Sequence, residues 1–405
     1  MRAKLVLVIT AALCAGVGAA RADVVTDWNE KAVALVASRG MAPAAAERIV
    51  AMTQLAMFDA VNSVQPHYRP YLVQITPAKP ASPDAAAVTA AVTVLAAAAP
   101  DNAAELQAAM KSALAAVPED AAKAEGVRLG AAVAAKILQA RAEDGANAAD
   151  AYRPRTQPGV YVPTAITASS MWPHVTPFAM TGPAQFRPAP PAALDSAQWI
   201  ADYNEIKAFG ARGSTQRSAQ QTEDARFWLM VGPATYYPLV RQIVAARHMS
   251  LIDCARFMAL VSVAEADAYI AVFDAKYTYE FWRPITAIRN GDTMNNAAIQ
   301  RDASWVPIAD TPMHPEYPCA HCITSMAFAS VVQTLFGSTE VPNLSMTSLS
   351  LPGVTHHWSN LDAYTTEVAE ARIWAGFHYR TSTQVGQDMG RQIGRFVATT
   401  MMQPL

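Results

Sequence analysis

Three stretches in the second half of the chain hold residues suited to gripping an anion. "KYTYEFWRP" sets Lys276 and Arg283 seven residues apart, with Pro284 next. Seven residues is nearly two helical turns, so the two cations would face one way. They would repel each other unless an anion lay beside them. "HPEYPCAHCITSMAF" puts His321 between Cys319 and Cys322, just after Pro318. Pro318 suits the first position of a helix. The N–H groups of Cys319, Ala320 and His321 would then lack intrahelical acceptors at the positive pole of the helix dipole. "ARIWAGFHYR" carries Arg372 and His378. On one continuous helix these two would diverge, but a helix ending near Gly376 would let His378 turn back. Each stretch alone also has a bland reading, as solvated cations or a packed core histidine.

The second stretch admits a Cys/His metal or redox centre as well. A cysteine at a helix N-terminus has a lowered pKa. Against this, no second cysteine pair exists, and haem attachment would need a histidine where Ile323 stands. Structural zinc needs more ligands, and His314, His356 and His357 offer imidazoles with no recognised spacing. A non-catalytic helical domain with a remnant pocket is a third reading.

Taken together and in this order, Lys-x6-Arg-Pro, Pro-x-x-His and Arg-x5-His resemble the vanadium-dependent haloperoxidase and type 2 phosphatidic acid phosphatase superfamily. "FWRPITAIRNGD", "HPEYP", "ERIVAMTQLAMFDAVN" and "TEDARFW" are similar to its soluble haloperoxidase branch. The likeness thus covers most of the mature chain. It implies an all-α fold of two four-helix-type bundles, with an oxyanion pocket in the second. Lys276, Arg283 and Arg372 would bind the equatorial oxygens of vanadate or phosphate, and the Ala320 N–H would donate to the same anion. His378 would make the axial bond, to vanadium in a peroxidase or to phosphorus, as a phosphohistidine, in a phosphatase. His321 would be the acid/base partner. The implied function is oxidation of halide by hydrogen peroxide with bound vanadate. The alternatives are a metal-free acid phosphatase acting on a phosphate ester and a catalytically degenerate member. Elementary chemistry agrees, since a trigonal-bipyramidal oxyanion wants surrounding cations, an in-line nucleophile and a proton donor opposite it.

The departures from the family pattern are local. Cys319 and Ala320 stand where Ser and Gly are usual, and a thiol is a weaker donor than a hydroxyl. Ser382 stands four residues after His378, where an acid is usual, so His378 needs another carboxylate to orient it. Glu367, Glu370 and Asp388 are the candidates. His314, seven residues before His321, matches a histidine of brominating members. Phe273 replaces a tryptophan of chlorinating ones. These two are candidates for the halide side of the pocket.

The elements that must position these residues are mostly helices. Residues 1–22 read as a signal peptide: Arg2 and Lys4, an apolar run from Leu5, then Ala20-Arg21-Ala22 before Asp23. That predicts a periplasmic or secreted protein, with no membrane span in the mature chain. The formal net charge is −2, and loss of Arg2, Lys4 and Arg21 makes the mature chain more acidic. Such a balance argues against a nucleic-acid partner and leaves small molecules as the substrates. A homo-oligomer stays open.

With 52% hydrophobic residues, the chain can build a large helical core. An N-terminal helical bundle is expected over 23–147, a Pro-rich irregular crossover over 148–193, and a C-terminal bundle with the pocket over 194–405. Asp101 and Ser214 are candidate N-caps, and Thr381 with Gln384 has capping-box spacing. The long apolar helix from Leu251 should stop before Arg283-Pro284. Gly386, Gly390 and Gly394 predict close helix packing. Strand signals are weak, and His356-His357-Trp358 reads as a loop at the pocket rim. Glu265 and Asp267 read as interhelical hydrogen-bonders, with Asp267 also within reach of the pocket. Once Cys14 leaves with the leader, Cys254, Cys319 and Cys322 remain, and a Cys319–Cys322 disulfide suits an oxidising compartment.

Overall fold

A computed structural model describes residues 24–405, so the leader and its cleavage point lie outside the described residues. The chain enters through α1 (Val24–Ser38), α2 (Pro43–Val64), α3 (Pro83–Ala98), α4 (Ala103–Ala115) and α5 (Ala121–Ala140). A long connection leads to α6 (Ala197–Phe209), α7 (Ala219–Phe227), α8 (Pro233–Arg247), α9 (Leu251–Tyr279), α10 (Pro284–Arg289) and α11 (Ala320–Phe336). A hairpin of β1 (Glu340–Ser348) and β2 (Leu351–Asn360) follows, then α12 (Leu361–Trp374) and α13 (Arg380–Thr400). The fold is all-α apart from this hairpin among the described residues. No described helix is long and apolar enough to cross a membrane.

Side-chain caps mark many helix starts. Ser82, Asp120, Ser196, Ser218 and Ser250 each accept an N–H from the first turn that follows, and such a cap contributes ~1 kcal/mol. Three expected caps do not form. Asp101 sits in a 3-10 turn before α4. The Ser214 hydroxyl takes the N–H groups of Gln216 and Arg217 in a turn ahead of the true cap, Ser218. α13 begins at Arg380 behind Tyr379, ahead of Thr381 and without a side-chain cap.

The 29-residue α9 is buried along nearly its whole length, as its almost continuous apolar sequence requires. It packs on α2, α11 and α13, and one hydrophobic cluster joins helices from both halves of the chain. Leu260, Ile270 and Phe328 are fully buried, each contributing roughly 1.5–3 kcal/mol. Helices α11 and α13 approach closely along the glycine stripe. A Cβ at Gly390 or Gly394 would overlap the Ile323 or Ala327 carbonyl.

The crossover over 148–193 holds only a short 3-10 turn, Trp172–His174, yet Tyr161, Trp172, Phe178 and Met180 are buried. Asp267 of α9 fastens it, accepting the N–H groups of Phe178, Ala179 and Met180 at 2.6, 2.9 and 2.8 Å. Asp267 therefore anchors backbone, neither bridging helices nor touching the pocket. Glu265 is buried beside Glu47 of α2, but neither of its carboxylate oxygens has a hydrogen-bond partner, so the expected interhelical hydrogen bond does not form.

The hairpin corrects the reading of His356-His357-Trp358 as a loop. Within antiparallel β2, His356 and Trp358 point inward and His357 outward. The alternation is weak in sequence because the inward set contains a histidine and the outward set is not uniformly polar.

Candidate active site

The end of α9 places the first two cations. Glu280 adopts φ +48° and closes the helix, and extended Arg283 then leads into Pro284 of α10. Lys276, in the last turn of α9, is wholly buried. Its ammonium donates to the carbonyls of Pro315, Glu316 and Pro318, so all three protons are held by the loop before α11. Arg283 is equally buried. Its Nε donates to the His314 carbonyl and its Nη1 to the Phe377 carbonyl, both at 2.9 Å. Nη2 lies 3.0 Å from His314 Nδ1, and Nη1 lies 3.3 Å from His378 Nε2.

The third stretch folds back as the Gly376 break suggested. α12 ends at Trp374, and Gly376 takes φ +80°, which glycine adopts without strain. The N–H groups of Phe377 and His378 then both reach the Arg372 carbonyl, at 3.1 and 3.3 Å. His378 thereby returns to the side of Arg372. The Arg372 guanidinium lies over the Phe377 ring at 4.9 Å and donates through Nη1 to the Trp228 carbonyl. Its Nε is buried and has no hydrogen-bond partner.

The orienter of His378 is Glu316, none of the three carboxylates expected. Glu316 is fully buried, and its Oε1 accepts the Nδ1–H of His378 at 2.8 Å and the N–H of Tyr379 at 3.1 Å. Its Oε2 accepts the Ser382 hydroxyl at 2.6 Å. Ser382, in the position of the usual acid, thus helps hold a carboxylate supplied from elsewhere. Glu367 binds His356, Glu370 binds Arg380, and Asp388 pairs with exposed Arg391. With the proton on Nδ1, the lone pair of His378 is on Nε2.

At α11, Ala320 rather than Pro318 is the first helical residue, and Cys319 is its N-cap. Its N–H donates to the Ser382 carbonyl, so it is not a free donor. Its sulfur is bonded to Cys322 and accepts the Cys322 N–H, which leaves no thiol proton to offer an anion. Cys254 is buried and outside this disulfide. Ala320 and His321 open the first turn, where N–H groups have no intrahelical acceptor. His321 Nε2 lies 3.1 Å from the Met230 carbonyl, which fixes Nε2 as the donor and leaves Nδ1 as the basic nitrogen.

A cavity of 240 Å³ collects Ala320, His321, Arg372, His378, His314 and Phe273 on its wall. His314 and Phe273 meet edge-to-face at 5.4 Å. Lys276, Arg283 and Cys319 do not line it and lie behind the wall. Burial, with the neighbouring cations, holds His314, His321 and His378 well below the ordinary imidazole range. Burial pulls Lys276 well down and brings Arg283 to about 10 and Arg372 to about 9. It pushes Glu316 up to about 7. The buried carboxylate of Glu316 thus faces Lys276 and Arg283, while Arg372 has no carboxylate acting on it. Buried charge without a partner is costly, so this cluster favours an anion in the cavity.

Residues 256–405 match the family model described as the VCPO second helical-bundle domain. Vanadium chloroperoxidase of Curvularia inaequalis is 28% identical over 180 residues. That match spans 36% of this chain and 29% of the Curvularia protein. The fold is shared with the crystal structure of the first bacterial vanadium-dependent iodoperoxidase, with TM-score 0.80 at 22% identity, over 94% of this chain and 96% of that one. A holo-type bacterial vanadium-dependent chloroperoxidase superposes with TM-score 0.72 at 18% identity, over 89% and 92% of the two chains.

Proposed function

For a chain with the fold and second helical-bundle domain of the vanadium haloperoxidase superfamily, we propose a vanadate-binding enzyme that oxidises halide with hydrogen peroxide. The supporting observation is the excess of buried positive charge around a cavity that also presents His378, whose Nε2, with its lone pair, lies 3.3 Å from Arg283 Nη1.

The residues present fit such an oxyanion. Arg372 Nε is a buried donor without an acceptor, and Ala320 and His321, whose first-turn N–H groups have no intrahelical acceptor, line the cavity. Arg372, Ala320 and the Nε2 of His378 would hold vanadate, with Arg283 next to that nitrogen. Vanadate, when bound, supplies a Lewis-acidic centre that activates hydrogen peroxide without changing its own oxidation state.

The chain's own groups do the rest. Glu316 keeps the His378 proton on Nδ1, so that Nε2 stays a ligand. Lys276 contributes positive charge from behind the wall, and its three hydrogen bonds stiffen the loop that carries Glu316. His321 Nδ1, kept neutral by burial, accepts a proton from the incoming peroxide and returns it as the oxidised halide leaves. His314 and Phe273 form the side from which halide approaches. The leader routes the enzyme to the periplasm or the exterior, where an oxidising medium suits the Cys319–Cys322 disulfide.

The same pocket would also admit a phosphate ester, with His378 as nucleophile. Halide oxidation measured with and without added vanadate, beside hydrolysis of an aryl phosphate, separates the two. Vanadate-dependent halide oxidation that His378→Ala abolishes is the expected result. Aryl phosphate hydrolysis without halide oxidation would overturn the proposal.

A further inference from the structure

Away from this cavity, α7 and β2 bring Glu223, Asp224 and His356 together. One ligand atom from each lies within 4.8 Å of the others. The imidazole is oriented from behind by Glu367 of α12, whose Oε1 accepts the Nδ1–H of His356 at 2.7 Å. The same carboxylate takes the indole N–H groups of Trp228 and Trp358, each at 2.8 Å. Phe227 lies flat on the imidazole, with ring centres 3.8 Å apart and planes 5° off parallel. The ring is thus locked with its proton on Nδ1.

That leaves Nε2 bare. It is buried without a hydrogen-bond partner, on a side chain only 8% exposed. It faces Glu223 Oε1 at 3.6 Å. A carboxylate-backed imidazole, with its free nitrogen turned toward two more carboxylates, is how proteins commonly hold a divalent first-row metal. We propose that Glu223, Asp224 and His356 form a metal site of the zinc class, with Glu367 as its positioning residue.

Metal–ligand bonds of ~2.0–2.2 Å set tetrahedral donors ~3.4 Å apart, so donors standing up to 4.8 Å apart must close in on the ion. Gln220 Nε2 donates to Glu223 Oε1 at 3.2 Å and to Asp224 Oδ1 at 2.9 Å, and Glu223, whose side chain is 40% exposed, can swing inward by giving up that contact. The single imidazole favours zinc and its first-row neighbours over magnesium or calcium, which prefer all-oxygen shells. Three protein ligands leave a position for water. No cysteine takes part, so this site is separate from the Cys319–Cys322 pair. Beyond α7 the chain runs to Trp228 and Met230, whose carbonyls hold Arg372 and His321. An ion here would pin α7 to the hairpin beside those contacts.

The test is zinc titration of the untagged, chelator-treated mature protein by calorimetry, with cobalt(II) absorption as a second readout. One saturable zinc site per chain is expected, and it should persist in His378→Ala. The double variant Glu223→Gln/Asp224→Asn should lose it. Glu367→Gln should weaken it about 10–100-fold. His357→Ala, on the outward face of β2, should bind as the parent does. If the double variant fails to fold, the parent's cobalt spectrum and Glu367→Gln carry the test. Absence of saturable zinc or cobalt binding, the result if His356 is held by a proton alone, would overturn the proposal. So would undiminished binding in Glu367→Gln.

Discussion

Replacing Glu316 with Gln removes one charge and almost no volume from the centre of the site. Its two oxygens accept three hydrogen bonds, from His378 Nδ1, the Tyr379 N–H and the Ser382 hydroxyl. A glutamine oxygen can still serve His378 and Tyr379, and the serine hydroxyl can rotate to accept from the amide nitrogen. What is lost is the ionic character of the bond to the imidazole, worth ~1.5–3 kcal/mol for a hydrogen bond to a charged group. If the amide turns the other way, two donors meet and His378 must move its proton to Nε2, which ends its use as a ligand. Either outcome should weaken vanadate binding about 10–100-fold, read by calorimetric titration at pH 8.

Stability should move the other way. Burial raises the Glu316 pKa to about 7, above its unfolded value. The stability it contributes is therefore complete below the unfolded pKa and is lost as pH rises through about 7. At pH 8 the neutral glutamine escapes that penalty, so the variant's melting temperature should equal or exceed the parent's. A folded Glu316→Gln protein with unchanged vanadate affinity would refute the orienting role.

Three further outcomes follow from packing and burial. Gly390→Ala should place its methyl against the Ile323 carbonyl and lower stability by roughly 1–3 kcal/mol. Gly182→Ala, with open space around it, should melt as the parent does. Glu47 is buried beside Glu265 and pushed up to about 8 by desolvation, so its contribution is also lost as pH rises. The melting temperature of the parent should fall relative to Glu47→Gln between about pH 5 and pH 8, and a constant difference would contradict the assignment.

Much of the candidate site is legible in three short strings. Lys276 and Arg283, Ala320 and His321, and Arg372 and His378 are each fixed by local rules: a buried helix halted before a proline, a first turn with free N–H groups, and a glycine that reverses the chain. Glu316 was missed although "HPEYP" was in view. Its partner His378 lies 62 residues away, and nothing local to either shows the pairing. The sequence pointed instead to Glu367, Glu370 and Asp388, nearer neighbours whose side chains turn to other partners. The hairpin was missed for a related reason. Burial of His356 and Trp358 under α7 and α12 makes β2 a strand, and that is a tertiary effect. Pro318 was expected to open α11, but Cys319 caps it, with its sulfur in a disulfide and its N–H on Ser382. The fit of the glycine stripe, by contrast, was readable because four-residue spacing and small size are local facts.

The central claim is that buried cations of the second half of the chain hold one oxyanion beside His378. Calorimetric titration of the untagged mature protein with vanadate, repeated in phosphate and with Arg372→Gln, tests it most directly. One vanadate per chain, displaced by phosphate and at least about tenfold weaker in the variant once a charged hydrogen bond is lost, is the predicted result. No saturable uptake by the folded parent would contradict it.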